Sequence, residues 1–133
     1  MSKFALDTNI LIYSHDENAT EKQNMARSLI VRSPIVSTQV VSEYLNVLKR
    51  ITRLPKEKIF NVCLPNLKYC DIHCVNIATL QLAERFIHRY DFQIFDAIIV
   101  ASAVKSGCQI LYSEDMQHNM IIEGKITISN PFL

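Results

Sequence analysis

The sequence predicts an α/β fold, a three-layer α/β/α sandwich around a short, mostly parallel sheet. Short apolar runs at residues 3–6, 35–36 and 110–112 are typical of buried parallel strands. Segments with the apolar spacing of helices separate these runs. Residues 97–104 are apolar except for Ser102, which is typical of a helix buried on all sides.

The composition predicts one soluble domain over residues 1–133. A hydrophobic fraction of 49% is enough for a full core, and two Gly and four Pro leave no room for a low-complexity linker. The N-terminal residues M-S-K-F-A-L-D reach an acid before a signal-peptide core forms, and no apolar run approaches the roughly 18 residues of a membrane span. We therefore expect a cytoplasmic protein with no membrane segment.

The charge balance excludes some modes of binding. Lys and Arg number 14, and Asp and Glu number 13, so the chain has no overall positive field for a nucleic acid or an anionic membrane. Any anionic substrate must therefore be held by local contacts.

The four cysteines predict core thiols rather than a zinc site. Only the segment from Cys70 to Cys74, which contains His73, looks like a metal-binding cluster, and a structural zinc site needs a second pair of ligands. Zinc is the minor alternative. We expect reduced thiols and a His73 that is exposed or hydrogen-bonded.

The first strand is predicted to end at Asp7, with a turn of helix over residues 10–13. Asp7 is a candidate acid, and the alternative is a turn in which Asp7 or Asn9 only bonds the backbone. A capping box at residues 20–23 predicts the start of the next helix, which ends at Ser33-Pro34. Its apolar face consists of Met25, Ala26, Leu29 and Ile30.

After the strand at residues 35–36, Ser37 or Thr38 caps a helix that runs to about Arg53. Glu43 lies at the edge of its apolar stripe, so it either faces the interior or extends to solvent as an ordinary surface Glu. The stripe consists of Val40, Val41, Tyr44, Leu45, Val47 and Leu48, and a basic cluster follows at Lys49, Arg50, Arg53, Lys56 and Lys58.

The remaining elements are predicted from residues that cap helices and from prolines and glycines that end them. Residues 55–65 predict a short helix that begins at one proline and stops at the next, and residues 70–75 predict a weak strand. Asn76 caps a helix over residues 77–89. The apolar helix that follows ends at Gly107, and residues 126–128 form a last strand, at the edge of the sheet.

Asp96 opens the apolar helix, near the positive end of its dipole. A carboxylate brought close to a core needs a partner, which here must be a cation; the alternative is an acid that stays solvated. A second strand, at residues 110–112, is followed at once by Ser113-Glu114-Asp115. Because ligands of open α/β sheets bind beyond the carboxyl ends of the strands, Asp7 and Asp115 are expected to meet there, near Asp96.

Asp7, Glu43, Asp96 and Asp115 are thus candidates for one site. Crowded carboxylates raise each other's pKa unless cations neutralise them, and an all-oxygen set suits Mg²⁺ or Mn²⁺. Such ions activate water and screen the charge of a phosphodiester.

Four segments carry a resemblance to a known family: L-D-T-N-I-L-I-Y at 6–13, S-E-Y-L-N-V-L at 42–48, F-D-A-I-I-V-A-S-A at 95–103 and L-Y-S-E-D-M at 111–116. In this order and spacing they resemble the PIN-domain ribonucleases, and most closely the VapC-like toxins of bacterial toxin-antitoxin pairs. The resemblance implies a PIN-like fold, an RNA substrate, a small antitoxin partner and a homodimer.

The resemblance also implies roles for individual residues. Asp7, Glu43, Asp96 and Asp115 would hold the metal, and Glu114 is the alternative for the last acid. The supporting residues would be Thr8 or Asn9, which orient Asp7, and Ser113, which hydrogen-bonds in the acidic pocket. The family often has Thr where Ser113 stands, a difference that keeps the hydroxyl.

The resulting hypothesis is a metal-dependent endoribonuclease that is the toxin of a toxin-antitoxin pair. One alternative is a catalytically silent binding or regulatory domain of the same fold. Another is a different Mg-dependent acid-cluster domain, such as a phospho-accepting receiver, although only one acid follows the first strand where a receiver has a pair.

Overall fold

The computed structural model describes residues 3–133, in which six strands form one sheet. Met1 and Ser2, part of the segment in which no signal-peptide core is expected, lie outside the described residues. The strands are β1 (Phe4–Leu6), β2 (Ile35–Ser37), β3 (Asp71–His73), β4 (Ile110–Tyr112), β5 (Ile121–Ile122) and β6 (Ile126–Ser129). Their order in the sheet is β3-β2-β1-β4-β6-β5, and every pair is parallel except β5–β6.

Six helices connect the strands within residues 3–133. They are α1 (Thr8–Tyr13), α2 (Thr20–Ile30), α3 (Thr38–Thr52), α4 (Lys56–Leu67), α5 (Ile77–Tyr90) and α6 (Ile94–Lys105). The chain moves outward from β1 to β3 and then returns past them to β4. Because parallel crossovers are right-handed, this reversal places α5 and α6 on the opposite face from α1 to α4. The predicted α/β fold with a mostly parallel sheet is confirmed.

The core confirms the predicted burial. Leu6, Val36 and Leu111 are fully buried. Six of the eight residues from Ala97 to Val104 of α6 are also buried, and the other two, Ile98 and Val104, are half-buried against the same cluster. The helix ends as predicted, with Gly107 at a φ of 76°. No helix in the described part of the chain is long and apolar enough to cross a membrane.

Two of the predicted helix caps are present. The Ser37 hydroxyl accepts a hydrogen bond from the Val40 amide at 3.2 Å, and the Asn76 side chain accepts one from the Thr79 amide at 3.0 Å. Each bond satisfies an amide that the first turn of a helix leaves without a partner.

The predicted capping box at residues 20–23 is wrong. Ala19, not Thr20, is the N-cap of α2, and it makes no side-chain capping bond because alanine has no polar side-chain atom. The Ala19 amide closes a turn on the Asp16 carbonyl at 3.2 Å, immediately before the helix. Gln23 is buried and donates to the Ser14 carbonyl at 3.3 Å, whereas Met25, predicted on the apolar face, is 40% exposed.

The predicted stop at Pro65 is also wrong, since α4 continues to Leu67. A proline in the last turn removes only one helical hydrogen bond, and the Lys68 amide closes that turn on the Leu64 carbonyl at 2.9 Å.

The last strand is not at the edge of the sheet. β6 lies between β4 and β5, and β5 is the edge strand. β5 has two residues, too few to show an alternating pattern, and its turn places Glu123 at a φ of 51°, which is uncommon for a residue other than Gly.

Candidate active site

Strand pairing brings two of the predicted acidic segments to one edge of the sheet. Leu6 of β1 pairs with Tyr112 of β4, and the Asp7 amide donates to the Tyr112 carbonyl at 2.9 Å. Asp7 and Ser113 therefore leave adjacent parallel strands side by side. This edge is where open α/β sheets bind their ligands.

Asp7 is held by short hydrogen bonds in a buried position. Its Oδ1 accepts from the Thr8 amide and its Oδ2 accepts from the Ser113 hydroxyl, both at 2.7 Å. Burial, with a smaller contribution from the nearby charges of Asp96 and Asp115, raises the Asp7 pKa to about 6 against the lowering effect of these two bonds. Asp7 also caps α1, so the turn predicted as the alternative is present together with the acidic site.

Glu43 faces the site rather than open solvent. Its Oε2 accepts from the Thr8 hydroxyl at 2.6 Å, and its Oε1 accepts from Gln39 Nε2 at 2.8 Å. Gln39 also donates to the carbonyl of Phe95, the residue before Asp96, at 3.2 Å. Gln39 thus joins α3 to the start of α6. The sequence reasoning missed it, although its position four residues before Glu43 is the signal that could have found it.

Asp96 lies in the first turn of α6, as predicted, and is half-buried. Burial raises the pKa of its carboxyl, and the charges of Asp115 and Glu43 add to the rise. These mutual effects show that the structure brings the carboxylates at Asp7, Glu43, Asp96 and Asp115 into one electrostatic cluster.

Glu114 and Asp115 have different hydrogen-bond and charge partners. Glu114 Oε2 pairs with Lys22 Nζ at 2.6 Å and its Oε1 accepts from the Tyr13 hydroxyl at 2.7 Å. Partial burial opposes these bonds, but together they lower the Glu114 pKa. Asp115 is exposed, and the one hydrogen bond that its side chain accepts within residues 3–133 comes from Asn9 Nδ2, at 3.0 Å. Glu114 is therefore already paired with a cation, whereas Asp115 has no cationic partner among residues 3–133.

Lys22 and Tyr13 were not among the predicted site residues. Lys22 Nζ lies 4.7 Å from the centre of the Tyr13 ring, in addition to its pairing with Glu114. Since Lys22 and Glu114 are 92 positions apart, no local pattern could reveal this contact.

The acidic cluster fits a hard divalent cation. None of the salt bridges found within residues 3–133 involves Asp7, Glu43, Asp96 or Asp115. Their donors are all oxygens, which suit Mg²⁺ or Mn²⁺. No three His, Cys, Asp or Glu side chains in the described part of the chain lie close enough to complete a metal site as they stand. The carboxylates would therefore have to move together around an ion.

The segment from Cys70 to Cys74, the alternative metal-binding cluster, lacks the features that suit the acidic cluster to a metal ion. Cys70 is half-buried with its Sγ 3.5 Å from the Asn66 carbonyl, and Cys74 is exposed. His73 Nε2 is hydrogen-bonded to the Thr79 hydroxyl at 2.9 Å, one of the two fates expected for it. Burial raises the Cys70 pKa to about 11, which disfavours the thiolate that binds metals.

Fold and site together define a class of protein: an α/β domain with an acidic cluster at the carboxyl edge of a parallel sheet. A family model described as the PIN domain matches residues 4–121. The chain belongs to the PIN domain family, and this predicted membership is confirmed. A comparison with curated proteins found no significant match.

The solved structures that share the fold include two toxin-related proteins. One is VapC20 of Mycobacterium tuberculosis, described as a toxin that cleaves the sarcin-ricin loop; the TM-score is 0.65 at 18% identity, over 85% of this chain and 90% of that chain. The other is a toxin-antitoxin complex from Klebsiella pneumoniae, with a TM-score of 0.69 at 18% identity over 98% of both chains. At this identity the likeness concerns the fold.

Proposed function

We propose that this protein is a metal-dependent endoribonuclease that hydrolyses phosphodiester bonds of RNA. The observation that carries the proposal is the cluster formed by Asp7, Glu43, Asp96 and Asp115, which has no cationic side chain paired with it among residues 3–133. Uncompensated charge of this kind is costly in an empty site, and is stabilised when a divalent cation binds.

The neighbouring polar residues orient the acids. Ser113 and the Thr8 amide fix the Asp7 carboxylate, and the Thr8 hydroxyl fixes Glu43. Asn9 holds Asp115 through its side-chain amide. Asn9 Nδ2 also lies 3.5 Å from Asp7 Oδ2. Thr8, Asn9 and Ser113 are therefore the supporting residues of the proposed site, because each limits the rotation of at least one carboxylate.

A bound Mg²⁺ or Mn²⁺ would supply water activation and charge screening for attack on phosphorus. Asp7, Glu43, Asp96 and Asp115 would hold it. The buried position of Asp7 excludes bulk water from one side of the cluster, and the exposed position of Asp115 leaves the other side open to a phosphate. Attack of water on phosphorus breaks one ester bond, and the departing ribose oxygen takes up a proton.

The test compares the wild type with Asp96→Asn on single-stranded and structured RNA in Mg²⁺ or Mn²⁺. The matched control is Asp71→Asn. Asp71 is an exposed acid at the amino end of β3, so it lies at the end of the sheet opposite to the acidic cluster. Asp96→Asn should lose most of the cleavage activity and Asp71→Asn should retain it. EDTA should abolish cleavage by the wild type and by Asp71→Asn. A wild type that cuts no RNA in any metal would instead support the catalytically silent domain.

We also propose that the nuclease is the toxin of a toxin-antitoxin pair and acts in the cytoplasm. The fold shared with a toxin and with a toxin-antitoxin complex supports this proposal. Expression of the wild type should arrest the growth of a bacterial host, and expression of Asp96→Asn should not. Equal arrest by both proteins would separate toxicity from the acidic cluster.

A groove between α3 and α4 is the surface we propose for the antitoxin. It has a volume of about 330 Å³ and an apolar floor that includes Leu45, Ile59 and Phe60. Lys49 and Lys56 lie at its rim, and Phe60 is 53% exposed. Apolar anchors between two lysines suit a segment that has an apolar face and acidic flanks.

The antitoxin proposal is tested with the small protein encoded next to this one. That protein should co-purify with the wild type, and the paired change Lys49→Glu and Lys56→Glu should prevent it. Lys105→Glu with Lys125→Glu is the control, since both lysines are exposed and lie outside the groove. Equal co-purification with both double variants would show that the groove is not used.

We propose, finally, that the protein forms a homodimer. Large apolar side chains remain exposed on α5 and α6, at Ile77 (69%), Leu80 (41%), Ile94 (64%) and Phe95 (65%). Exposed apolar surface of this kind is typical of an interface. Light scattering should show a dimer for the wild type and a monomer for Ile77→Lys or Ile94→Lys. Val31→Lys, at an exposed apolar residue outside these helices, should remain dimeric.

A further inference from the structure

A cavity adjoins the acidic cluster and shares Asp96, but none of the other three acids, with the proposed metal site. Its volume is about 240 Å³, and Asp96 forms part of its wall, so it opens beside the carboxylates. The rest of the wall comes from the end of α5, the turn before α6 and the segment after β4: Tyr90, Asp91, Phe92, Gln93, Met116, Gln117 and Met120. The volume is smaller than the roughly 300 Å³ at which pockets for drug-sized ligands begin, so its occupant is small.

One side of the cavity is a pre-formed aromatic wall. The rings of Tyr90 and Phe92 have centroids 6.0 Å apart with an angle of 52° between their planes. Tyr90 cannot rotate freely, because its ring packs edge-on against the buried Phe86 and its hydroxyl accepts from the Glu123 amide at 2.8 Å. Phe92 is only half-buried, so aromatic surface remains available to a ligand.

The rim of the cavity carries polar side chains that are available for hydrogen bonds to a ligand. Gln93 and Gln117 are exposed, and among residues 3–133 neither side-chain amide makes a hydrogen bond. Asp91, the C-cap of α5 with a φ of 60°, adds a carboxylate that accepts hydrogen bonds. Amides both donate and accept, so this rim matches a flat ligand with mixed donors and acceptors at its edge.

The charges exclude a phosphate as the occupant. Asp91 and Asp96 both lie on the wall and would repel an anion. The arginines of α5, Arg85 and Arg89, are already paired with Glu123 at 2.6 and 3.2 Å, so neither is free to neutralise a phosphate in the cavity. The chain carries a net charge of only +1, so its overall charge supplies little attraction for the phosphates of RNA.

We propose that this cavity binds one unpaired nucleobase of the RNA, adjacent to the phosphodiester that is cut. The proposal rests on the proposed nuclease function and specifies its substrate as single-stranded at that nucleotide. The base stacks on the aromatic wall, and the Gln93, Gln117 and Asp91 side chains contact its edge. Proteins recognise single-stranded RNA through this combination of stacking and edge contacts.

The test measures binding separately from cleavage. Fluorescein-labelled single-stranded RNA octamers, each with one abasic position moved along the chain, are titrated in Mg²⁺ with protein carrying Asp7→Asn, which prevents cutting and lies outside the cavity. One abasic position should weaken binding about tenfold, the loss expected when one stacked base is removed. The same position should have no effect in a protein that also carries Phe92→Ala, because the aromatic surface is already absent.

Two further variants keep the test decisive. Phe60→Ala removes an exposed aromatic ring outside the cavity and should leave the abasic profile unchanged. If Phe92→Ala does not fold, as judged by its thermal melt, the paired change Gln93→Ala and Gln117→Ala replaces it. Neither exposed amide has a hydrogen-bond partner among the described residues 3–133. Their loss should reduce discrimination among the four bases at the sensitive position without altering affinity for the abasic octamer.

Each outcome is informative. Metal-dependent cleavage by the wild type with a flat abasic profile would overturn the base site and leave the nuclease proposal intact. A position-specific loss without any cleavage would support the base site and contradict the nuclease proposal. Absence of both binding and cleavage would contradict the two together.

Discussion

Asp7→Asn should stabilise the metal-free protein at neutral pH while removing its metal binding. Burial raises the Asp7 pKa from 3.8 to about 6. The folded state therefore binds more protons than the unfolded state between these values, so the contribution of Asp7 to stability falls as the pH rises through that window. At a pH above both pKa values, the ionised Asp7 lowers the free energy of unfolding by about 3 kcal/mol, because each pKa unit corresponds to about 1.4 kcal/mol.

The substitution recovers only part of this free energy. Asn is a good helix cap and can still accept from the Thr8 amide, but the charge-assisted bond from the Ser113 hydroxyl becomes weaker. We therefore expect a net stabilisation of about 1–2 kcal/mol at pH 7.5, which corresponds to a rise in Tm of about 4–8 °C for a chain of this size.

Thermal melts of wild type and Asp7→Asn in EDTA at pH 7.5 and pH 4 measure the effect. The difference should be largest at pH 7.5 and nearly absent at pH 4, where the wild-type carboxyl is protonated. Asp71→Asn should show no such pH dependence, because that acid is exposed. A destabilised Asp7→Asn at pH 7.5, or a gain of the same size at both pH values, would refute the electrostatic reasoning.

Three further results follow from the same site. Added Mn²⁺ should raise the Tm of the wild type and not that of Asp96→Asn, because a ligand that binds only the folded state stabilises it by about 2.7 kcal/mol at 100 times its Kd. Calorimetric titration should show weaker Mn²⁺ binding for Asp115→Asn and unchanged binding for Glu114→Gln; the reverse result would mean that the last acid of the site is misassigned. Ser113→Ala removes a donor to Asp7, so Mn²⁺ binding should require a higher pH than in the wild type, whereas Ser113→Thr should restore the wild-type pH profile.

Most of the fold could be predicted because it follows from local patterns. The strands at β1, β2 and β4 are apolar runs, and the apolar helix α6 has only one polar residue between Ala97 and Val104. Caps at Ser37 and Asn76 depend on side chains within three residues of the amides they bond. The errors occurred where such signals are short, as at the two-residue β5, or where a turn outside the motif sets the start of the helix, as at Ala19.

The candidate site was predicted in part. Asp7 and Asp96 could be identified because each breaks an apolar segment, and the role of each as a metal ligand stays a prediction. Glu43 had two possible orientations on its helix, and the bonds that it accepts from Gln39 and from Thr8, 35 positions away, show which one it adopts. The homodimer, the antitoxin partner and the choice between Mg²⁺ and Mn²⁺ also remain predictions.

The sequence by itself determined the order along the chain of the six helices and of every strand except β5, together with the family and the acids that interrupt apolar runs. These depend on periodicity and on spacing along the chain, which packing does not alter. Only the tertiary structure decided that Glu114 is neutralised by Lys22 while Asp115 is not, and that Gln39 joins Glu43 to the start of α6. The physical reason is that the charge state and orientation of a side chain depend on the groups that folding brings beside it, whatever their separation in sequence.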